Sequence, residues 1–328
     1  MAQLVDSSYC VYAMIGDPVV QTKTPQLFNA HCIKYGVKSV MVPMHVQNDI
    51  GVAVFVEAIR TSPILSGFVT TIPHKSVLSD LVDHQSETAR RLGMVNTVRR
   101  NSDGSLAGDM LDGKGFVRAL QSKLFDPVGA DVLILGGGAA GSSIGLALQP
   151  LVRDICMFDH NADRRRILEG MFADFPNVRV MHEFPEAAAC DLAVNTSPLG
   201  MKPNDALPFS KALLSSCGLV ADAVTRVNAE TDLMGLASSL GIETLDGEEM
   251  ATGHLEEVLS FGFMHFTKWG FAAFTVPINE LSCLQNCVPS VALFDFPGVF
   301  EPRSAPMISE ISLINPKVLS LTIFLMSG

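Results

Sequence analysis

Basic residues are scarce in this sequence, and none of them form a dense cluster. Of 328 residues, 23 are Lys or Arg and 34 are Asp or Glu, so the formal net charge is −11. The longest basic run is only residues 164–166. Because non-specific nucleic-acid binding needs clustered Lys and Arg to neutralise phosphates, this composition argues against nucleic acid as a partner. A small-molecule ligand is the expectation that remains.

Paired cysteines and long apolar runs are also missing. The chain has 7 Cys without a CxxC pair, which is typical of reduced thiols in the cytoplasm. No apolar run reaches the roughly 18 residues of a membrane span, and the N-terminus lacks the basic segment of a secretion signal. The spacing of Cys283 and Cys287 does not fit a zinc site, and acids at turns are typical helix caps. We therefore expect a cytoplasmic monomer or homodimer that uses no metal and does not bind membranes.

Short apolar runs alternate with longer helical patterns, and this alternation predicts an α/β fold. Apolar residues make up 48% of the chain, enough for the two cores that a chain of this length favours. We predict an α/β substrate-binding domain at 1–115, a doubly wound Rossmann-type nucleotide-binding domain at 116–245, a returning helix at 246–266 and an unassigned tail at 267–328.

Individual elements follow from hydrophobic period and turn residues. Thr24 before Pro25 predicts a helix N-cap, and the Asn-Ser-Asp-Gly sequence at 101–104 predicts a hairpin turn. Strands are predicted at 9–15, 40–46, 65–72, 95–100, 105–108, 132–135, 155–158, 178–181, 192–195 and 219–223. Helices are predicted from Thr24, from Asn48 or Asp49 to about 60, and at 142–148, 162–175, 230–240 and 248–266.

The most specific motif is GxGxxG, which directly follows one predicted strand and opens a helix. Glycines at such a turn let the backbone approach a pyrophosphate, and the helix N-terminus supplies free N–H groups. The alternative is a strand-to-helix turn without a ligand. The order of strand, glycines, helix and a later acid favours a dinucleotide site formed by Gly136, Gly138, Ala139, Ala140 and Gly141.

The acid of this nucleotide motif is Asp159, which follows the next strand. A carboxylate about 20 residues beyond the glycines accepts hydrogen bonds from the adenosine ribose, and this favours NAD. A 2′-phosphate would be repelled by Asp159, although Arg164 and Arg165 could partly offset the repulsion. The sequence thus favours NAD and leaves NADP possible.

Three polar residues in the N-terminal half are candidates for a reaction centre. Lys75 follows Pro73 at the end of a strand, Asn96 lies in a Gly-Met-Val-Asn-Thr segment, and Asp112 precedes a helix. A lysine beside a carboxylate can exchange the proton of a hydroxyl during oxidation to a ketone. Taken one by one, they also fit a solvated lysine, a turn amide and a helix N-cap. The cap role of Asp112 is compatible with pairing to Lys75.

Taken together, these segments resemble the shikimate dehydrogenases and their quinate/shikimate relatives. The resemblance spans about residues 10–266 and excludes the tail. It rests on several motifs in order, which is more specific than any one of them. In this sequence the matching segments are 22–25 (TKTP for SKSP), 69–75 (NVTxPxK), 93–97 (GxVNT), 108–116 (GxNTDxxGF), the glycine loop, 195–201 (NxTPLGM) and 246–250 (DGxxM).

The resemblance implies reversible hydride transfer between NAD(P) and the 3-hydroxyl of shikimate, with 3-dehydroshikimate as the ketone. Lys75 and Asp112 match the catalytic pair of the family. The nicotinamide side of the cofactor is expected beside Asn195, Thr196, Ser197 and Met201. The matching substrate-binding positions are Thr22, Thr24, Thr71, Asn96 and His254.

Departures from the family pattern leave the substrate open. Val69, Met110 and Leu111 replace two amides and a hydroxyl, and His254 replaces a glutamine. Loss of hydrogen-bonding groups relaxes discrimination among hydroxy acids, so quinate or another cyclic hydroxy acid is an alternative substrate. A second alternative is a dinucleotide-binding sensor without catalysis. His254 by itself also fits a packing residue.

Overall fold

The computed structural model describes residues 5–123, 125–185, 189–226 and 229–263, together with the strands at 310–315 and 318–322. Residues 5–263 contain two six-stranded sheets with helices packed against them. The first sheet lies in the N-terminal part, and the second begins after residue 130. This is the α/β architecture that the sequence predicts.

The first sheet is mixed, with strand order β2-β1-β3-β5-β6-β4. Strands β1, β2 and β3 are parallel, whereas β5 runs antiparallel to both of its neighbours. The strands are β1 (Cys10–Gly16), β2 (Ser39–His45), β3 (Leu65–Thr70), β4 (His84–Gln85), β5 (Thr97–Arg100) and β6 (Leu106–Asp109). The helices of this part are α1 (Thr24–Tyr35), α2 (Asp49–Thr61), α3 (Glu87–Leu92) and α4 (Asp112–Ser122).

The second sheet is entirely parallel, with order β12-β11-β10-β7-β8-β9. The strand order reverses between β7 and β10, and a nucleotide binds at such a reversal in doubly wound folds. The strands are β7 (Asp131–Leu135), β8 (Asp154–Phe158), β9 (Val178–Val180), β10 (Leu192–Asn195), β11 (Leu219–Asp222) and β12 (Glu243–Leu245). The helices are α5 (Ala139–Leu148), α6 (Ala162–Met171), α7 (Lys211–Leu214) and α8 (Asp232–Ser239).

Both sheets are buried on two faces by apolar side chains. In the first sheet, Ile15 and Phe68 pack on one face, and Tyr12 and Val69 pack on the other. In the second sheet, the side chain of Ile134 in β7 packs on one face, and the side chains of its two neighbours in the strand pack on the opposite face. Since both faces are covered, the strands are almost continuously apolar, as parallel strands usually are.

Helix α9 (Gly247–Val258) returns to the first part and crosses α4 at two glycines. A methyl group on Gly253 would lie 2.3 Å from the carbonyl oxygen of Gly115, and one on Gly115 would lie 2.5 Å from the Cα of His254. Only residues without a side chain permit this close approach. The crossing brings His254 next to the N-terminal turn of α4.

The predicted strands are present, with ends displaced by no more than two residues. The predicted N-cap at Thr24 is wrong: Lys23 holds the cap position without a side-chain bond, and Thr24 is already helical. At the start of α2, Asn48 is the cap and accepts a hydrogen bond from the Gly51 amide. The sequence did not predict α3, α7, β4 or β12, which are all short.

The helix predicted to reach residue 266 ends as an α-helix at Val258. A π-helical turn, Leu259–Phe263, follows it, with Gly262 at φ 103°. Residues 264–266 and most of the unassigned tail, including Cys283 and Cys287, lie outside the described residues. Within the tail, β13 (Glu310–Asn315) and β14 (Val318–Thr322) form an antiparallel pair. No helix of the described part is long and apolar enough to cross a bilayer.

Candidate active site

The N-terminal site residues meet at one edge of the first sheet. The Thr71 amide donates to the Ile15 carbonyl at 2.9 Å, which joins the carboxyl ends of β3 and β1. The Thr70 amide donates to the Asn96 carbonyl at 2.7 Å, and the Asn96 amide donates to the Asp109 carbonyl at 3.0 Å. Because β5 is antiparallel to β3 and β6, its first residue lies where both neighbours end. The sheet topology thus assembles segments that are distant in sequence.

Lys75 and Asp112 form a buried ion pair at this edge. The Nζ atom lies 2.5 Å from Oδ2, and both side chains are only 12% exposed. The predicted N-cap role of Asp112 is wrong, because Asp112 is the first helical residue and Leu111 holds the cap position without a side-chain bond. Its carboxylate turns away from the α4 amides and accepts hydrogen bonds from Lys75 and Asn96 instead.

Asn96 and His254 complete a cluster of four polar side chains, which we call the Lys75 cluster: Lys75, Asn96, Asp112 and His254. The Asn96 Nδ2 atom lies 2.7 Å from Asp112 Oδ1 and 3.1 Å from His254 Nε2. Asn96 is only 1% exposed and His254 only 7%. Of these two substrate candidates, Asn96 is hydrogen-bonded to the predicted catalytic pair directly, whereas His254 reaches it through Asn96 and lies 3.9 Å from Asp112 Oδ1.

Burial and charge act in opposite directions on the pKa of Asp112. Burial raises it, but the positive charge of Lys75 and the hydrogen bonds from Lys75 and Asn96 outweigh burial, so the pKa lies below its usual value. For His254, burial lowers the pKa, and attraction to Asp112 does not restore it. The cluster at neutral pH therefore combines an ionised carboxylate with an uncharged imidazole.

The threonine candidates lie on the segments that follow β1 and β3, at the same edge of the first sheet. Thr22 is on the loop after β1, and its hydroxyl donates to the Val19 carbonyl at 2.8 Å. Thr24 is buried in the first turn of α1. Thr71 directly follows β3 and is partly buried. Lys23 lies between Thr22 and Thr24 in the sequence. Its Nζ atom is 3.9 Å from Oε2 of Glu248, and this ion pair links the starts of α1 and α9.

The apolar departures from the family motifs belong to the hydrophobic cores. Val69, Met110 and Leu111 are each at most 2% exposed. Val69 and Leu111 pack with Tyr12, and Met110 packs on the opposite face of the sheet. These three side chains therefore contribute packing where the family motif has polar groups.

The glycine motif forms the turn from β7 into α5, at the reversal of strand order. Gly136 has φ 106°, and a methyl group there would lie 2.6 Å from the Ser197 amide nitrogen. Gly138 holds the N-cap position of α5 without a capping side chain, and Ala139, Ala140 and Gly141 form the first turn. The first amides of α5 are thus available for a phosphate group. This geometry fits a dinucleotide.

The loop after β10 is fastened to the glycine turn. The Thr196 hydroxyl lies 3.0 Å from the Leu135 carbonyl oxygen and 2.8 Å from that of Gly136. Asn195 is fully buried, and its Oδ1 accepts from the Ser197 amide and hydroxyl. Asn195 therefore shapes this loop from inside the protein. Met201, further along, is 49% exposed.

Sequence reasoning missed one carboxylate that holds the loop after β10 in place. Asp222, the last residue of β11, accepts hydrogen bonds from Asn195 at 2.9 Å and Thr231 at 2.6 Å. Burial raises its pKa, against the lowering effect of those bonds. Its position at the end of a predicted parallel strand was the signal in the sequence, since such ends line the ligand crevice.

Asp159 directly follows β8 and is turned toward the glycine loop. Its Oδ2 atom accepts from the Gly137 amide at 2.7 Å, and its Oδ1 atom accepts from the Asn161 amide at 2.8 Å. Arg164 Nη1 lies 3.7 Å from Oδ2. The Arg165 guanidinium donates to the Asp159 and His160 carbonyls instead of facing outward.

The Lys75 cluster and the dinucleotide loop are joined through α4 and α5. The amide of Gly113, next to Asp112, donates to the Ser143 hydroxyl at 2.9 Å. Ser143 lies in the second turn of α5, just beyond the glycine motif. This link, which sequence reasoning also missed, places the ion pair beside the helix that begins at the glycine motif. No three His, Cys, Asp or Glu side chains of the described ranges are grouped as metal ligands would be, and the absence of a metal stays a prediction.

Comparison with known proteins identifies the family. The family model for the shikimate dehydrogenase substrate binding domain matches residues 14–98. The chain is 32% identical to the shikimate dehydrogenase (NADP(+)) of Rubrobacter xylanophilus over 255 residues, covering 75% of this chain and 88% of the relative. It is 33% identical to the enzyme of that name from Bacillus subtilis over 250 residues, covering 73% and 86%.

A solved structure agrees in fold as well. Quinate dehydrogenase from Corynebacterium glutamicum in complex with NAD is 26% identical, with a TM-score of 0.68, covering 76% of this chain and 92% of that chain. The sequence motifs, the two sheets and the identity over most of each relative point to the same group of proteins. The chain therefore belongs to the shikimate dehydrogenase family of NAD(P)-dependent oxidoreductases.

Proposed function

We propose that the protein reversibly transfers hydride between NAD(P) and a ring hydroxyl of a cyclic hydroxy acid, with the 3-hydroxyl of shikimate as the first candidate. The observation that carries the proposal is the buried Lys75–Asp112 pair, joined by the Gly113–Ser143 contact to the helix behind the glycine loop. A proton-transfer pair beside a dinucleotide site is the arrangement that alcohol oxidation needs.

Lys75 moves the proton in this mechanism. The bound dinucleotide supplies the hydride acceptor or donor. In the oxidation direction the Lys75 amine takes the hydroxyl proton, and in the reduction direction its ammonium returns a proton to the carbonyl oxygen. Asp112 remains ionised and accepts a hydrogen bond from Lys75, so it orients the amine and stabilises its charged form.

The substrate carboxylate is proposed to bind at the start of α1. Thr22 and Thr24 carry hydroxyls there, and the helix N-terminus favours a negative charge. Thr71 and Asn96 lie across the same sheet edge, and we assign Thr71 to the substrate hydroxyls. The nicotinamide is assigned to the loop of Asn195, Thr196, Ser197 and Met201.

Quinate is the second candidate substrate. The buried Val69, Met110 and Leu111 side chains place apolar groups where the shikimate dehydrogenase motifs have polar ones. The similarity to a quinate dehydrogenase agrees with a changed preference. A site with fewer hydroxyl partners discriminates less between cyclic hydroxy acids.

For the cofactor we propose NAD over NADP, although the names of the two shikimate dehydrogenases compared above favour NADP. The quinate dehydrogenase compared above is in complex with NAD. Asp159 supports NAD, because its buried carboxylate lies where the adenosine ribose is expected and would repel a 2′-phosphate. Arg164 is close enough to offset part of that repulsion.

We also propose a cytoplasmic location, supported by the free thiols of Cys10, Cys32, Cys156, Cys190 and Cys217.

The test is turnover by the purified full chain. Reduction of NAD and NADP is followed by the absorbance of the reduced nicotinamide, with shikimate, quinate and related cyclic hydroxy acids as substrates. Turnover of shikimate or quinate that disappears in a Lys75→Met variant supports the proposal. Dinucleotide binding without turnover of any of these substrates contradicts it and supports a sensor.

A further inference from the structure

The orientation of the Asn96 amide is fixed by its neighbours. The backbone amide of Leu111 can only donate, and it lies 2.9 Å from Asn96 Oδ1. The hydroxyl of Thr97 donates to the same oxygen at 3.0 Å. Oδ1 is thus the acceptor end of the amide, and the Nδ2 group faces the Lys75 cluster.

Both hydrogens of this Nδ2 group are used inside the protein. One is donated to Asp112 Oδ1 and the other to His254 Nε2. A nitrogen that accepts a hydrogen bond carries no proton, so the imidazole of His254 is neutral with its proton on Nδ1. Asn96 is therefore held between a carboxylate and an imidazole.

A charged His254 would disrupt this arrangement. Protonated Nε2 is a donor, and it would face the Asn96 donor at 3.1 Å. It would then be attracted to Asp112 Oδ1, only 3.9 Å away, and compete with Lys75 for the carboxylate. The charged groups facing His254 are Asp112 from α4, Lys75 from the loop after β3 and Glu257 from its own helix.

We propose that His254 is a positioning residue: uncharged, it holds Asn96, and through it the Asp112–Lys75 pair, in the geometry for proton transfer. Protonation of His254 releases that geometry, so the enzyme loses activity at acidic pH through a residue that does not touch the reacting atoms. The effect on turnover rests on the proposed function, whereas the neutral, accepting imidazole does not. The lowered pKa of His254 agrees with this role.

Glutamine provides a matched replacement. In a His254→Gln variant, the side-chain oxygen of the introduced glutamine can accept from Asn96 at every pH, so the variant keeps the contact and loses the titration. Ketone reduction is the direction to assay, because Lys75 then acts as the acid and its own protonation causes no loss of rate at acidic pH. We expect wild-type kcat for reduction to fall by about tenfold per pH unit below the pKa of His254, and the His254→Gln profile to lack this acid limb. His182→Gln removes an exposed histidine just after β9 and should retain the wild-type profile. An acid limb that is unchanged in His254→Gln overturns the proposal.

A second measurement does not need turnover or a variant. The nitrogen-15 shifts of the assigned His254 imidazole in the wild-type chain report its tautomer and its charge. A neutral ring with its proton on Nδ1 at neutral pH supports the inference, even if no substrate of the panel is turned over and the proposed function fails. A charged ring, or a proton on Nε2, overturns the inference whatever the activity.

Discussion

The Nζ atom of Lys75 lies 2.5 Å from Oδ2 of Asp112, although β5 and β6 separate the two residues along the chain. Both side chains are largely buried, so the pair is shielded from water and salt. Removing one partner leaves the other charge buried and unpaired, which is costly. The pair is therefore sensitive to single substitutions in a way that surface pairs are not.

Substitution of Lys75 should remove most of the turnover and leave dinucleotide binding intact. We expect Lys75→Ala to lower kcat by about 10²-fold to 10⁴-fold, the usual contribution of a positioned acid or base. Steady-state kinetics and fluorescence titration with the reduced dinucleotide measure the two effects. Lys114→Ala removes a lysine of α4 that pairs with Asp109 of β6 at 2.9 Å, and it should keep turnover. Unchanged kcat in Lys75→Ala would rule out the catalytic assignment.

Substitution of Asp159 should shift the preference between the two dinucleotides. Asparagine keeps an acceptor for the Gly137 amide but removes the charge that opposes a 2′-phosphate. We expect Asp159→Asn to raise the ratio of kcat/KM for NADP to that for NAD by about tenfold, equal to about 1.4 kcal/mol. Asp163→Asn, at an exposed acid paired with Arg166, is the control. If the ratio does not rise, Asp159 does not select the cofactor.

The crossing of α4 and α9 should tolerate no side chain at Gly253. A methyl group there would meet the Gly115 carbonyl, a backbone atom that cannot move aside alone. We expect Gly253→Ala to lower the free energy of unfolding by about 1–3 kcal/mol and to reduce turnover by displacing His254. Denaturant unfolding and kcat provide the two readouts.

Gly170 in α6 is the matched control for that substitution. It is an exposed helical glycine, and a methyl group there would meet no atom within 4 Å. Gly170→Ala should therefore stabilise the protein by up to about 1 kcal/mol, because alanine restricts the unfolded chain more. A similar loss of stability in both variants would mean that the close helix crossing is not the cause.

His254 should also make stability depend on pH. Its pKa is lower in the folded protein than in the unfolded chain, so the unfolded chain binds the proton first as pH falls. The stabilisation is complete above about pH 6.5 and is lost as the pH drops toward the folded-state pKa. We expect wild type to lose stability relative to His254→Gln in that window, as measured by urea unfolding. A constant difference between the two across the window would contradict the buried neutral state.

Local motifs carried most of the information about the fold and the nucleotide site. The glycines at 136–141 follow an apolar strand and open a helix, so neighbouring residues alone specify the turn. The same holds for the hairpin at 101–104 and the cap at Asn48. The N-cap predictions at Thr24 and Asp112 were wrong because a cap depends on backbone angles and on competing hydrogen-bond partners. At Asp112 the competing partners are Lys75 and Asn96, which donate to its carboxylate.

The sequence by itself determined which chemical groups this protein has: a lysine and an aspartate that we propose for proton transfer, a glycine loop that we propose for a dinucleotide, and an acid after the next strand. Only the tertiary structure decided how these groups are used. Asn96 and His254 are 158 residues apart and meet because two glycines let α4 and α9 touch. The hydrogen bonds from Asn195 to Asp222 and from Gly113 to Ser143 likewise join separate elements. No local pattern encodes such contacts, because they depend on strand order and helix packing across the whole chain.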